Sequence, residues 1–327
     1  MKKKLSLAII GCGNIANYHV RAFNRLGLKI NHCASKLNST KVYKFAKKYN
    51  ISNIWKDPIK LARSSNNWDG IILCSTTKSL SNILDVLINQ KKPILVEKPV
   101  SIGTDYLKKF SSTCPKFVNV AFNRRYYNTV VKAKEFIEQS RGQILCSMKL
   151  PESVKKNNIK LNKFSNIFDN SVHGIDILRF LFGDLEIINN TKIKLNNFDS
   201  SRIVLLKSKK NHLCNVIINS NSPDNFLLEI ENGSKRFLLK PFEKYKIYEG
   251  MKIIEPSKKY PFRSYIPTII EKNDVFSTLS RNKDLKPGFL EQSEDFLRLI
   301  LGKKVKRSAK LLDAFEAQKL LKKIMLS

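Results

Sequence analysis

The 327-residue chain predicts an α/β fold: a doubly wound parallel sheet first, then a mainly antiparallel sheet interrupted by one helix. Three observations carry this. A strand runs into a glycine turn and a helix near the start, and strands and amphipathic helices then alternate as far as Arg125. From about Ser140 the apolar pattern changes to period two. A chain of this length is expected to form two domains, placed at residues 1–122 and 123–327.

The first strand, residues 5–10, runs into "GCGNIANYH", a G-x-G-x-x-A turn made by Gly11, Gly13 and Ala16. The first glycine permits a tight bend, the second lets the backbone approach a pyrophosphate, and the small third residue lets helix and strand pack closely. Asn14 and Ile15 open the helix of residues 14–26, whose first N–H groups point at the phosphates. The second strand, residues 28–35, ends at Ser35 and Lys36. A carboxylate about 20 residues past the turn would bind an adenosine ribose diol. None stands there, because the first acidic residue of the chain is Asp57. Hydroxyl and ammonium at Ser35 and Lys36 suit a 2′-phosphate, so the expected cofactor is NAD(P), with NADP preferred over NAD. The alternative for Lys36 is a solvated loop lysine.

Residues 39–49 form an amphipathic helix with Val42, Phe45, Ala46 and Tyr49 on one stripe. A buried strand at 68–75 delivers Ser75 and Thr76 to its carboxyl end, and a helix follows at 80–90. Residues 93–100, "PILVEKPV", end a buried run in Glu97 and Lys98. A lysine there costs free energy unless it reaches water or a partner. Ligands of doubly wound sheets bind at the carboxyl ends of the strands, so the strand aims the Lys98 amine at the cofactor crevice. The strand at 116–125 leaves Asn123, Arg124, Arg125 and Tyr126 at its end. Arg125 is a candidate substrate contact there, against a solvated loop or domain hinge.

Period-two runs follow at 144–150, 186–195, 202–208, 212–219, 226–231 and 236–240, the last two flanking an Asn232-Gly233 hairpin turn. The interrupting helix, residues 168–184, carries Asp169, His173 and Asp176 at i, i+4 and i+7 on one face. Val172, Ile175, Leu178, Leu181 and Phe182 supply its apolar stripe. Histidine titrates near neutrality and a carboxylate can fix its tautomer, so this row suggests acid–base work. The plainer alternative is a capped helix with one satisfied histidine. No further ligand cluster accompanies the row, so no metal is expected.

Sixty Lys and Arg against 27 Asp and Glu give a net charge of +33. The lysines are spread through nearly every segment, without a basic arm or aromatic-interleaved block, so the charge reads as solvated surface and no nucleic-acid partner is expected. A basic nucleic-acid-associated protein is the remote alternative. Six cysteines without a C-x-x-C pair suit reduced, packed thiols. "MKKKLSLAIIGC" imitates an export signal, but its apolar run, residues 5–10, is shorter than the ~7–15 residues such a signal needs. No run approaches the ~18 apolar residues of a membrane span. The expected protein is soluble, cytoplasmic and free of membrane partners.

"AIIGCGNIANYH", "VEKPVS", "AFNRRYY" and "DNSVHGIDILRFLFG", in that order, resemble the family of glucose–fructose oxidoreductase, inositol 2-dehydrogenase and rhizopine-catabolism proteins. The resemblance covers essentially the whole chain. It implies an N-terminal Rossmann domain and a C-terminal α/β domain built on an open antiparallel sheet, with helices at roughly 288–300 and 308–325 completing the fold. The sheet's exposed face would make a homodimer or homotetramer contact. By its place in E-K-P, Lys98 resembles the family's catalytic lysine, which touches the reacting oxygen; the Lys98–Pro99 bond is commonly cis in such proteins. Asp169 and His173 resemble the substrate-binding acid and the proton-transferring histidine, and Asp176 a supporting residue. The implied activity is hydride transfer between a nicotinamide and a secondary hydroxyl or keto carbon of a sugar, cyclic polyol or nucleotide-sugar, the basic surface favouring the last. The implied cofactor contacts are Gly11, Gly13, Asn14, Ile15, Ala16, Ser35, Lys36, Ser75, Thr76, Glu97 and Lys98; Lys98, Arg125, Asp169 and His173 would meet the substrate. Four features depart from the pattern: Thr77 and Ser81 replace a proline and a histidine, Ser171 replaces a glycine, and "SNIFDN" replaces the glycine-rich approach to the Asp. A catalytically silent NAD(P)- and sugar-binding regulator on the same fold is the alternative.

Overall fold

The computed structural model describes residues 5–37, 39–152, 165–194, 201–220, 222–274 and 284–326. Residues 1–4 of the export-like segment and residue 195 of the expected 186–195 strand lie outside them. In the first part, β1 (Leu7–Ile10), α1 (Asn14–Arg25), β2 (Ile30–Ala34), α2 (Lys41–Tyr49), β3 (Asn53–Trp55), α3 (Pro58–Arg63), β4 (Gly70–Leu73), α4 (Thr77–Ile88), β5 (Ile94–Val96), α5 (Asp105–Lys108) and β6 (Val118–Val120) follow one another. Their strands make one parallel sheet in the order β3-β2-β1-β4-β5-β6. The order reverses between β1 and β4, which sets a crevice at their carboxyl ends. Leu7, Ile9, Ile10, Ile71, Ile72, Leu73, Ile94 and Val96 are fully buried, as strands covered on both faces require. Asp57, the chain's first acid, is a helix cap: its carboxylate accepts from the Ile59 amide at 2.7 Å, with Pro58 opening α3.

The remaining elements are α6 (Asn128–Gln139), β7 (Leu145–Glu152), α7 (Ser165–Phe182), β8 (Leu185–Ile193), β9 (Ser201–Ser208), β10 (Leu213–Ser220), β11 (Leu227–Glu231), β12 (Lys235–Leu239), β13 (Lys244–Ile254), β14 (Ser264–Asp274), α8 (Phe289–Ile300) and α9 (Leu311–Leu326). The second sheet runs β14-β13-β12-β11-β7-β10-β9-β8. It is antiparallel except where β10 lies parallel to β7. The Asn232-Gly233 turn joins β11 to β12 as expected, with Gly233 at φ +88°. α7 packs directly on this sheet: a Cβ added to Gly174 would stand 2.2 Å from the Leu150 side chain. No helix among the described residues is long and apolar enough to cross a membrane.

The chain separates into two compact units, Met1–Tyr126 with Ser280–Lys319 and Tyr127–Leu279 with Leu320–Ser327. The boundary expected between residues 122 and 123 therefore falls between 126 and 127. α8 and most of α9, expected in the second domain, return to the first unit. The cause is packing: Phe296 of α8 meets Phe23 of α1 edge-on at 6.1 Å, and Ala309 bridges to Val120 at the sheet edge.

Candidate active site

The glycine turn is shaped by its neighbours. Gly11 has φ +99°, and an added Cβ would stand 2.4 Å from the Cys74 carbonyl oxygen, so no side chain fits. Its amide donates to Ala34 O at 2.8 Å, which ties the turn to β2. Around Gly13 the opposite holds: an added Cβ would meet nothing within 4 Å. Gly13 is the N-cap of α1, no side chain caps it, and no acid stands in the first turn. The N–H groups at the start of α1, around Asn14 and Ile15, thus face an open cradle suited to a pyrophosphate. Ala16 is fully buried against the sheet. These residues fit a dinucleotide.

The neighbouring strand ends add the rest of that edge. Ser35 follows β2 half-buried and Lys36 is exposed. Trp55 pairs with Ala34 in register, one residue from Ser35. After β4 stand Ser75, half-buried, and Thr76, the N-cap of α4, whose hydroxyl is 3.2 Å from that of Ser79. Thr77 and Ser81 lie in the opening turns of this helix. After β5, Glu97 is 8% exposed and Lys98 half-buried, and the Lys98–Pro99 bond is cis.

Glu97 has a partner that sequence reasoning missed. His19 of α1, wholly buried, places Nε2 2.7 Å from Glu97 Oε1. The signal was present, since His19 lies on the same inward row as Ala16 and Phe23. Three thiols surround the turn. Cys12 Sγ donates to Ala34 O at 3.5 Å; interaction between the neighbouring Cys12 and Cys33 thiols raises the first and lowers the second. Burial, with the Glu97 charge, pushes Cys74 well above its ordinary value.

In the second unit, His173 and Asp176 are both buried, at 6% and 1% exposure. Asp169 lies on α7, its side chain outside those described. The helix is less amphipathic than its stripe suggests, because Ile177 is as deeply buried as Val172, Ile175 and Leu178. Ser171, in place of a glycine, serves a second unforeseen residue. Its amide is 2.5 Å from Glu152 Oε1 and its hydroxyl bonds the same oxygen, while Asn170 Nδ2 donates to Pro151 O at 3.0 Å. Glu152 is a buried carboxylate, and "LPE" at a strand end carries no pattern that would have marked it.

Gly11, Gly13, Ser35, Lys36, Ser75, Thr76, Glu97 and Lys98 thus share the carboxyl edge of the first unit's sheet, while Asp169 and His173 belong to the second unit. Arg125 has protein partners of its own. It is 5% exposed, its guanidinium 3.5 Å from Asp313 and stacked over Phe122. Asn123 likewise donates to Pro287 O at 3.0 Å, and Tyr126 to Asp295 at 3.1 Å. This segment packs within the first unit.

Residues 5–122 match a family model described as an oxidoreductase family with an NAD-binding Rossmann fold. A myo-inositol 2-dehydrogenase of Thermotoga maritima is 23% identical over 188 residues, 55% of this chain and 55% of that protein, so the match spans about half the length of that relative. Levoglucosan dehydrogenase, solved with NADH and levoglucosan, has a TM-score of 0.76 at 15% identity, covering 98% of this chain and 96% of that one. A UDP-N-acetylglucosamine 3-dehydrogenase from Acidithiobacillus ferrooxidans has a TM-score of 0.74 at 10% identity, with 98% and 96% covered. These two likenesses establish the two-sheet α/β fold along nearly the whole chain.

Proposed function

We propose that the protein, whose residues 5–122 match the oxidoreductase-family model with an NAD-binding Rossmann fold, belongs to the glucose–fructose oxidoreductase, inositol 2-dehydrogenase and rhizopine-catabolism family and is an NAD(P)-dependent dehydrogenase or reductase. It acts on a secondary hydroxyl or keto carbon of a sugar, cyclic polyol or nucleotide-sugar. The observation that carries this reading is one sheet edge that combines an open glycine cradle with the half-buried Lys98. The dinucleotide, when bound, supplies the hydride donor or acceptor.

Gly11, Gly13 and the first N–H groups of α1 would receive the pyrophosphate, and Ser75 and Thr76 would border the nicotinamide. Ser35 and Lys36 suit a 2′-phosphate, which supports NADP over NAD; the NADH of the levoglucosan dehydrogenase structure supports the opposite. Lys98 hydrogen-bonds the reacting oxygen and stabilises charge as it develops there. His173 takes or returns the hydroxyl proton, and Asp169 orients substrate and imidazole. Arg125, engaged by Asp313, is left out of the substrate set.

Inositol, levoglucosan and UDP-N-acetylglucosamine, named for the relatives, are polyhydroxylated rings, which supports this substrate class. The net charge of +33 favours a substrate with a pyrophosphate among them. The test is a screen of sugars, inositols and nucleotide-sugars for absorbance change at the nicotinamide band, with Lys98→Ala and His173→Ala as controls. Turnover lost in both variants supports the reading. Cofactor binding with no turnover on any such substrate would move the protein to a silent regulator.

A further inference from the structure

We propose that His19 is a positioning residue for Lys98. Through the Glu97 carboxylate it fixes the strand end that presents the amine, and ties that end to the helix following the glycine turn. The role given to Lys98 rests on the oxidoreductase reading above; the tether itself rests on geometry within the first unit.

His19 Nε2 and Glu97 Oε1 are 2.7 Å apart, with His19 wholly buried and the Glu97 side chain 10% exposed. A carboxylate this deep needs a donor, and the imidazole N–H supplies it. The rest of the ring gives no competing polar tether. Nδ1 is buried without a hydrogen-bond partner among the described residues, and the ring packs against Phe289 at 5.0 Å between centroids. The orientation of His19 is therefore set by Phe289 on one side and Glu97 on the other. Residue 97 is held twice over, its amide donating to Leu73 O at 2.9 Å and its side chain bound to α1. Lys98 follows it directly. Two fixed points on residue 97 leave the Lys98 backbone little freedom, and a catalytic group displaced by about 1 Å can lose about 10²-fold in rate. His19 begins no chemistry of its own in this account. It acts through Glu97.

The experiment compares His19→Leu, His19→Asn and His19→Gln. Only the glutamine amide is long enough to reach the Glu97 carboxylate from the same backbone position. The first readout needs no substrate: the rate at which Lys98 is acylated by trace acetic anhydride, followed by mass spectrometry, with the exposed Lys258 as internal standard. The expected result is a several-fold change in the Lys98 rate in the leucine and asparagine variants, with Lys258 unchanged, and a return to the wild-type rate in the glutamine variant. Should the leucine variant fail to fold, the asparagine–glutamine comparison decides alone. A Lys98 rate unchanged in folded asparagine or leucine variants overturns the proposal and leaves His19–Glu97 as a packing pair. With a substrate in hand, kcat should fall by about 10²-fold in those variants while KM and NAD(P)H affinity hold; a loss confined to KM would also overturn it. Failure of the wild-type protein to bind NADH or NADPH would strike the oxidoreductase reading instead, and the acylation rates would still settle the tether.

Discussion

Lys98 sits half-buried at the tip of a fully buried strand, and His173 is buried on a helix that packs on the second sheet. If they act as proposed, Lys98→Ala and His173→Ala each lower kcat by roughly 10²–10⁴ while cofactor binding survives. In the oxidation direction His173 must be neutral to accept the proton, so kcat/KM should climb with pH through an apparent histidine pKa and then level. A flat profile between about pH 5.5 and 9 would exclude a histidine base. Two other histidines report on stability. His32 and His212 are buried, and each accepts at Nδ1, from the Trp55 indole at 3.2 Å and from the Ile144 amide at 3.2 Å. Burial lowers both below their ordinary 6.5, so near and below that pH the unfolded chain binds protons that the folded chain refuses. Stability is then complete above 6.5 and declines as pH falls toward the folded values. The thermal midpoint should drop between about pH 7.5 and 5.5, and His212→Gln should flatten that slope. Lys98 and the glycines were legible because a charge at the end of an apolar run and a fixed spacing both break a pattern. His19 and Glu152 were not: a buried polar residue that pairs across about 80 positions, or with a neighbouring helix, leaves no local mark.

At the scale of the element, two glycines separate binding from folding. An alanine at Gly13 meets nothing within 4 Å, so Gly13→Ala should keep its thermal midpoint while the filled cradle weakens dinucleotide binding by about tenfold or more. Gly174→Ala, on a helix pressed against Leu150, should lower stability by about 1–3 kcal/mol. Isothermal titration and thermal melts of the two variants check both expectations, and the effects should not trade places. Most strands and helices were readable from periodicity. β13 and β14 were not, for physical reasons. Residues 251, 253, 265 and 266 are exposed apolar positions, so beyond Tyr248 the ribbon lacks the inside–outside alternation that marks a half-buried strand. Gly250 and Pro267 further demote it. α8 is a helix as its stripe implies, and it belongs to the first compact unit. An apolar stripe shows that a helix is buried, and not which sheet receives it.

For the molecule as a whole, exposed apolar side chains gather on the second sheet. Leu145, Ile203 and Leu213 lie on its strands at 38–50% exposure, and Met251, Ile253 and Tyr265 on its outer ribbon at 49–57%. Such a surface fits self-association, as the resemblance implied. Sedimentation should show a dimer or larger species that Ile203→Lys weakens; a monomer at every concentration would contradict this. The measurement that bears most directly on the proposed activity is a fluorescence titration with NADPH and with NADH, following energy transfer from Trp55 and Trp68. Trp55 lies in register with Ala34, next to the Ser35–Lys36 edge. The account predicts saturation at micromolar concentrations, tighter for NADPH than for NADH, with the difference reduced in Lys36→Ala. Saturation by neither nucleotide, with no dinucleotide released when the protein is denatured, would contradict it.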